Sequence, residues 1–207
     1  MSAAYNLPAP RRIIASNLPL PVSAASDAQV EPGVEVRVDT LSTEAFPGGI
    51  YHRSRVATAK KVPTSNDGSG DIPLDDIPGA GIVLPGGINI YYMDVAPNSE
   101  GPMHRTTSTD YLVVLQGQLS LLTPGSAPYS LKDGNAIYGE PVETICGPGE
   151  VIQQRGMMHA MSNRTDSWVR VIGFVVGSDA NRVPVGDGSS VGGEEAQYKA
   201  LNDAWLQ

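Results

Sequence analysis

Two stretches of this chain follow a similar plan, and together they restrict the fold more than any other feature of the sequence. The first is GPMHRTTSTDYLVVLQG, Gly101 to Gly117, and the second is GPGEVIQQRGMMHAMSN, Gly147 to Asn163. Each begins with a turn of glycine and proline, contains a segment typical of a β-strand, and carries one of only three histidines. The sequence predicts short strands separated by turns, at 34–38, within 49–57, and at 82–84, 88–95, 111–115, 119–122, 136–138, 144–146, 151–154 and 168–176. Such a series predicts an antiparallel barrel or jelly roll.

Side chains alternate between two faces along an extended chain, so every second residue of the first stretch shares a face. That face is polar at its start and apolar at its end: His104, Thr106, Ser108, Asp110, Leu112 and Val114. A polar group directed into a β core is costly unless it binds something, so the polar half predicts the lip of a cavity. Arg105 and Tyr111 fall on the opposite face, where a scaffold role is expected.

The first stretch resembles the first motif of the cupin superfamily. That motif reads His-x-His, then Glu four residues after the second His, then Gly. His104 takes the place of the first His and Thr106 that of the second, while Asp110 stands where the Glu would be and Gly117 closes the motif.

The second stretch resembles the second cupin motif, Pro-x-Gly-x-x-His-x-x-x-Asn. Gly156, His159 and Asn163 match it, and the lead-in at Arg155 departs from it. Asn163 is expected to tie down a turn. The sequence HRTTSTDY, followed later by QRGxxHA, also resembles the sequences of a subgroup of small single-domain fungal and bacterial cupins.

The resemblance implies an all-β fold: a single cupin (jelly-roll) β-barrel with an N-terminal arm and a C-terminal helix. We expect residues 1–75 to form an arm with extended segments that pack on the barrel. Residues 76–180 form the barrel itself, and residues 181–207 a C-terminal loop and helix. The helix is predicted over Glu194 to Leu206, because Tyr198, Leu201 and Trp205 recur at helical spacing.

The family arrangement has four protein ligands to a metal, and His104, Asp110 and His159 are the residues that would surround one here. Two imidazoles and one carboxylate suit Fe(II), with Mn, Ni or Zn as alternatives. Thr106 removes one ligand, and Asp110 is one methylene shorter than Glu. In a site without metal, Asp110 would hydrogen-bond His104 and His159 would be a core histidine. The same three residues are the predicted catalytic groups.

Four methionines lie within three residues of a motif histidine: Met103, Met157, Met158 and Met161. Thioethers pack adaptably and could shape an apolar cavity, although ordinary core packing explains them equally. The predicted substrate pocket consists of Thr106, Met103, Met158, Met161, Tyr91, Gln154 and Phe174.

The composition of the chain argues against several classes of binding partner. A net charge of −8 argues against nucleic acid and against an anionic membrane surface. The N-terminus is a poor secretory signal, no apolar run approaches the length of a membrane span, and the single cysteine has no partner for an internal disulfide. We expect a cytoplasmic protein, a homodimer, that binds a small molecule.

The resemblance to small fungal cupins, some associated with secondary metabolism, suggests an enzyme acting on an apolar, aromatic or polyketide-like substrate. The two-histidine, one-carboxylate set favours metal-dependent oxidative chemistry, dioxygenase-like. The alternatives are a lyase, dehydratase, decarboxylase or isomerase using the same site, and a non-catalytic cupin that binds a ligand in the barrel.

Overall fold

The computed structural model describes residues 4–24, 26–27, 29–66, 69–132, 135–137, 139–186 and 197–206. These residues form strands and connecting turns, with a single turn of 3-10 helix at Val22–Ala24. The strands are β1 (Arg11–Asn17), β2 (Val34–Thr40), β3 (Glu44–Ala45), β4 (Tyr51–Ala59), β5 (Ile88–Val95), β6 (His104–Arg105), β7 (Ser108–Gln116), β8 (Leu119–Thr123), β9 (Ser130–Lys132), β10 (Asn135–Ile137), β11 (Val142–Cys146), β12 (Val151–Arg155), β13 (Ala160–Ser162), β14 (Val169–Gly177), β15 (Arg182–Pro184), β16 (Tyr198–Ala200) and β17 (Ala204–Trp205).

Two antiparallel sheets form the body of the protein. The larger has six strands in the order β12-β7-β14-β5-β4-β3, and the smaller has three in the order β11-β8-β13. Four further pairs complete the described strands: β1 with β2, β9 with β10, β15 with β16, and β17 with β6.

The core lies where the alternating apolar residues of the two sheets meet. Along β7 the buried positions are Ser108, Asp110, Leu112 and Val114, which is the face that the sequence predicted. The apolar members pack with buried residues of β5, β8, β11 to β14: Tyr91, Met93, Val95, Leu119, Leu121, Cys146, Ile152, Met161, Val169, Val171 and Val175. The polar members of β7 lie on the same face and therefore point towards the interior.

Most of the predicted strands are confirmed. The strand predicted at Ile88–Val95 has those bounds, and the strands predicted within 111–115, 119–122, 144–146 and 151–154 lie inside β7, β8, β11 and β12. The segment predicted at 82–84 is not a strand. Residue 138, the end of another predicted strand, lies outside the described residues.

The N-terminal segment packs on the larger sheet and also contributes strands to it. Tyr5 and Leu7 pack with Trp168, and Trp168 Nε1 donates to the carbonyl of Ala4 (3.2 Å). Strands β3 and β4 are hydrogen-bonded members of the six-stranded sheet. The division of the chain into arm, barrel and C-terminal segment stays a prediction, as does the homodimer.

The predicted C-terminal helix is wrong for the residues that the structure describes there, 197–206; residues 194–196 lie outside them. Tyr198–Ala200 pairs with Arg182–Pro184, and Ala204–Trp205 pairs with His104–Arg105. The apolar spacing of this segment suits a helix, but the segment forms strands instead. The reason is that β15 and β6 offer it main-chain hydrogen bonds to distant parts of the chain, which an isolated helix would lack. Among the described residues, no helix is long and apolar enough to span a membrane.

Candidate functional site

A cavity of about 570 Å³ opens between the two sheets, and both motif histidines line it. Its wall is mostly apolar, which suits a small organic molecule. The lining residues are Phe46, Pro47, Ile50, Tyr51, Arg53, Ala80, Ile82, Tyr91, Met93, Glu100, Gly101, Pro102, His104, Asp110, Leu112, His159, Met161, Trp205 and Leu206.

Main-chain hydrogen bonds bring the two motif histidines together. His104 N donates to His159 O (2.8 Å), and His159 N donates to His104 O (2.9 Å). Residues that face each other directly in an antiparallel bridge carry their side chains on the same face. The ring centroids are accordingly 4.4 Å apart, with a tilt of 53° between the planes.

The two imidazoles are held in the same way. His104 Nδ1 lies 3.0 Å from the carbonyl oxygen of Pro102, and His159 Nδ1 lies 3.0 Å from that of Met157. A carbonyl oxygen can only accept, so Nδ1 carries the proton in both neutral rings. Nε2 of each ring is therefore a lone-pair acceptor, and it has no hydrogen-bond partner among the described residues.

Burial favours the neutral form of both histidines. Loss of hydration lowers the pKa of His104, and it lowers the pKa of His159 to about 4, with a further contribution from the neighbouring His104. A proton on one ring disfavours a second proton on the other, so the pair titrates as a unit.

Asp110 supplies the acidic group of the cavity. Burial raises the pKa of its carboxyl group from 3.8 to about 6, while the Ser108 hydroxyl acts in the opposite direction. Its Oδ1 atom is buried without a hydrogen-bond partner among the described residues, and so are both polar side-chain atoms of Gln154, which faces Asp110 across β7 and β12. Three unpartnered polar atoms on two facing residues are unusual in a core and are typical of a functional site.

We expect Asp110→Asn to stabilise the fold at pH 8. The folded carboxyl group keeps its proton up to about pH 6, whereas the unfolded one loses it near pH 3.8. Burial of the charge therefore costs stability above pH 6, and this cost disappears below pH 3.8. The neutral amide avoids the cost, so the free energy of unfolding should rise on the order of 1–3 kcal/mol at pH 8 and change little at pH 4.

Urea unfolding of wild type and Asp110→Asn at the two pH values measures this difference. Asp76→Asn is the matched control, because Asp76 is exposed and should change stability little at either pH. Equal stability of Asp110→Asn and wild type at pH 8 would contradict the expectation.

The predicted metal ligands have suitable atoms but do not converge. Neutral imidazoles with Nδ1 anchored to a carbonyl are a common metal-binding arrangement, and an unpartnered carboxylate oxygen is a possible third donor. However, among the described residues no three His, Cys, Asp or Glu side chains lie close enough together to hold a metal ion. The arrangement does not fit the predicted centre of three protein ligands, so a bound metal stays a prediction.

The structure brings two of the seven predicted pocket residues, Tyr91 and Met161, to the cavity wall. Met103 and Met158 pack instead with Leu122 and Ala160 in a separate cluster. The other three lie elsewhere: Thr106 lines a neighbouring cavity, Gln154 is buried beside Asp110 on the adjacent strand, and Phe174 is half-buried in β14.

Asn163 ties down a turn, in agreement with the sequence analysis. Its Nδ2 donates to the carbonyls of Val95 (3.1 Å) and Ser167 (2.7 Å). Its Oδ1 accepts from the main-chain N–H (3.0 Å) and the hydroxyl (2.7 Å) of Thr165. Asn163 is fully buried and all its hydrogen-bonding groups are occupied, so it is a scaffold residue.

Sequence reasoning missed several cavity residues, of which Arg53 and Trp205 are the most consequential. Arg53 lies on β4, in a segment without a motif. It reaches the cavity because it is paired with Met93 of the adjacent strand β5, which also lines the cavity. Trp205 was assigned to a helix. No local signal marks either residue, since both arrive through strand pairing far along the chain.

Comparisons with known proteins find two curated relatives. "Phomopsin biosynthesis cluster protein D" and "Phomopsin biosynthesis cluster protein C'" of Diaporthe leptostromiformis are each 36% identical over 114 residues, which is 55% of this chain and 51% of the relative. The chain thus spans about half the length of the curated relatives it matches. No family model matches the chain.

Similar solved structures include three with low sequence identity. They are the polyketide cyclase RemF from Streptomyces resistomycificus (TM-score 0.40, 17% identity, 66% of this chain and 73% of that chain), a cupin-2 domain protein from Rhodospirillum rubrum (0.39, 11%, 68% and 72%) and an RmlC-like cupin from Shewanella frigidimarina (0.39, 10%, 67% and 85%). Similarity at such low sequence identity and TM-score does not indicate an activity for this chain.

The class of fold follows from the molecule's own architecture. Two antiparallel sheets enclose a cavity, and the histidine of each sequence motif meets the other at its wall. The all-β fold predicted from the two motifs, with a cavity between its sheets, is therefore confirmed.

Proposed function

We propose that this cupin is an acid–base enzyme that moves a proton on a small, mostly apolar molecule. The observation that carries the proposal is the pair of imidazoles whose Nε2 atoms have no hydrogen-bond partner among the described residues, in the same apolar cavity as the buried carboxyl group of Asp110. Isomerisation, dehydration and decarboxylation all need such proton transfers.

The histidine pair is suited to act as the base. Each Nε2 can accept a proton while the Nδ1 hydrogen bond to the carbonyl of residue 102 or 157 holds the ring in place and stabilises the imidazolium that forms. With a pKa of about 6, the Asp110 carboxyl group is mostly a carboxylate at pH 7, so it can share the role of base with the histidines.

Arg53 is suited to stabilise negative charge on the substrate. Its Nη1 donates to the carbonyl of Gly81 (2.6 Å), but its Nε is buried without a partner among the described residues, and the Glu44 carboxylate is 3.7 Å from Nη2. A guanidinium group in an apolar cavity binds an oxyanion strongly, because little water competes. An enolisable ketone or a phenol therefore suits this cavity.

The step that we propose breaks a C–H bond next to a carbonyl group. The proton moves to a histidine Nε2, and the electron pair of the bond forms an enolate whose oxygen faces Arg53. Return of this proton from Nε2 to a different atom of the enolate gives isomerisation and leaves the imidazole neutral again. The similarity to proteins of the phomopsin biosynthesis cluster supports a role in the biosynthesis of a natural product. The oxidative alternative relies on the three-ligand centre, which the described side chains do not fit.

We expect the protein to catalyse deuterium incorporation next to the carbonyl group of small aryl ketones, such as acetophenone and 1-tetralone, in D₂O. Exchange followed by NMR reports proton abstraction without knowledge of the natural substrate. It should persist after chelation, since the proposed base and acid are side chains.

Metal analysis of the untagged protein, with His104→Ala and His159→Ala alongside, completes the test. Near-stoichiometric metal that both variants lose, together with exchange that chelation abolishes and metal restores, would overturn the metal-independent reaction. Tight binding of the ketones without any exchange would favour the ligand-binding alternative.

A further inference from the structure

We infer that Trp205, on the C-terminal strand β17, is a positioning residue of the cavity: it holds the His104 ring in place and separates the cavity from its neighbour. The inference adds a residue to the site of the proposed function. The position of the indole against His104 can be measured by NMR signals that do not depend on turnover. The positioning role and the proposed acid–base activity can therefore fail separately.

The three rings of the site form one row across three adjacent backbone segments. His104 faces His159 on one side and Trp205 on the other, and residues opposite one another in antiparallel pairs share a face. The His104 and His159 centroids are 4.4 Å apart, and the Trp205 ring lies 4.3 Å from His104 with only 7° between the planes. His104 is thus enclosed between an indole and a second imidazole.

The stacking covers His104 from solvent. The histidine is only 5% exposed, whereas Trp205 is 43% exposed and forms the outer layer of the row. A stacked aromatic pair is also attractive in itself, beyond the area that it buries. The indole therefore restricts rotation of the His104 ring, together with the Nδ1 hydrogen bond to Pro102 O and the neighbouring His159 ring.

The strand that carries Trp205 is fixed by groups on and next to β6. Leu206 N donates to Met103 O (2.9 Å), and Thr107 Oγ1 donates to Asp203 Oδ1 (2.7 Å). The buried Arg105 guanidinium donates to Asn202 O from both Nε (2.9 Å) and Nη2 (2.7 Å). A planar fork on one carbonyl is a geometry that lysine cannot reproduce, so Arg105 is assigned to the attachment of β17.

Trp205 is also a partition. It lines both the main cavity and an adjacent one of about 410 Å³ that includes Thr106 and Thr107. Ala80 and Ile82 also line both cavities, so the indole forms part of the wall between them and limits how far a ligand can extend beyond His104.

The test is an NMR comparison of wild type, Trp205→Leu and Trp205→Phe, with the histidine Hε1 signals as the readout. Three histidines give three signals, of which His52 lies outside the cavity and serves as an internal reference. We expect Trp205→Leu to move the His104 signal downfield, because the ring current of the indole is lost, and to abolish the nuclear Overhauser contact between the two rings. Trp205→Phe should restore most of the shift.

Tyr198→Leu is the matched control, since Tyr198 is an exposed aromatic residue of the same C-terminal segment and contacts Arg182 instead of a histidine. It should leave all three histidine signals unchanged. If ketone exchange is present, Trp205→Leu should also reduce it about 10²-fold, and Trp205→Phe much less. A His104 signal that is the same in wild type and Trp205→Leu would overturn the inference, whatever the outcome for exchange.

Discussion

Replacing His159 with asparagine should reduce ketone exchange by about 10²–10⁴-fold, the range typical of the loss of a general base. The amide nitrogen of asparagine can take the place of Nδ1 and keep the hydrogen bond to Met157 O, so the substitution removes little more than the basic Nε2 atom. The fold should be retained, which circular dichroism and the Hε1 signals of the other two histidines would verify.

His52→Gln is the matched control for this prediction. His52 stacks on Tyr5 (4.4 Å between centroids) and packs against Trp168 (4.9 Å), away from the cavity. Its replacement should cost some stability and leave the exchange rate per folded molecule unchanged. A His159→Asn protein that is folded and fully active in exchange would contradict the assignment of the histidine pair as the base.

Replacing Arg170 with methionine should lower the free energy of unfolding by about 3–5 kcal/mol, because it leaves a charge buried without its partner. Arg170 Nε and Nη2 donate to the two carboxylate oxygens of Asp94, each at 2.7 Å, and Asp94 is only 1% exposed. Tyr5 donates to the same carboxylate (2.7 Å), and Arg170 Nη1 donates to Pro8 O (2.8 Å). The loss should therefore also release the N-terminal segment, which limited proteolysis would detect.

Two variants make this stability prediction specific. Arg164→Met removes a surface arginine, 48% exposed at its side chain, that pairs with Glu100 and Glu143, so it should cost far less stability than Arg170→Met. The double variant Arg170→Met, Asp94→Leu should recover much of the loss, since no buried charge remains. A loss below about 1 kcal/mol in urea unfolding of Arg170→Met would show that the pair contributes little.

Much of the fold was predictable because the relevant signals are local. Alternation of apolar and polar residues placed β5, β7 and β14, and the burial of Ser108, Asp110, Leu112 and Val114 follows from the period of an extended chain. Gly117 could be recognised as the end of the first motif, and it adopts a positive φ of 78° between β7 and β8. The two histidines of the site were also found from their motifs.

The sequence by itself thus determined the all-β class, most strands of the two sheets and the two histidines at their shared cavity. Only the tertiary structure decided that the C-terminal segment forms strands and not a helix, and that Arg53 and Trp205 line the cavity. It also decided that, among the described residues, no three His, Cys, Asp or Glu side chains form a metal cluster. The physical reason is that a periodic pattern reports which face of a segment is buried. It does not report which distant edge the segment pairs with, and the pairings of β17 with β6 and of β4 with β5 set these side-chain positions.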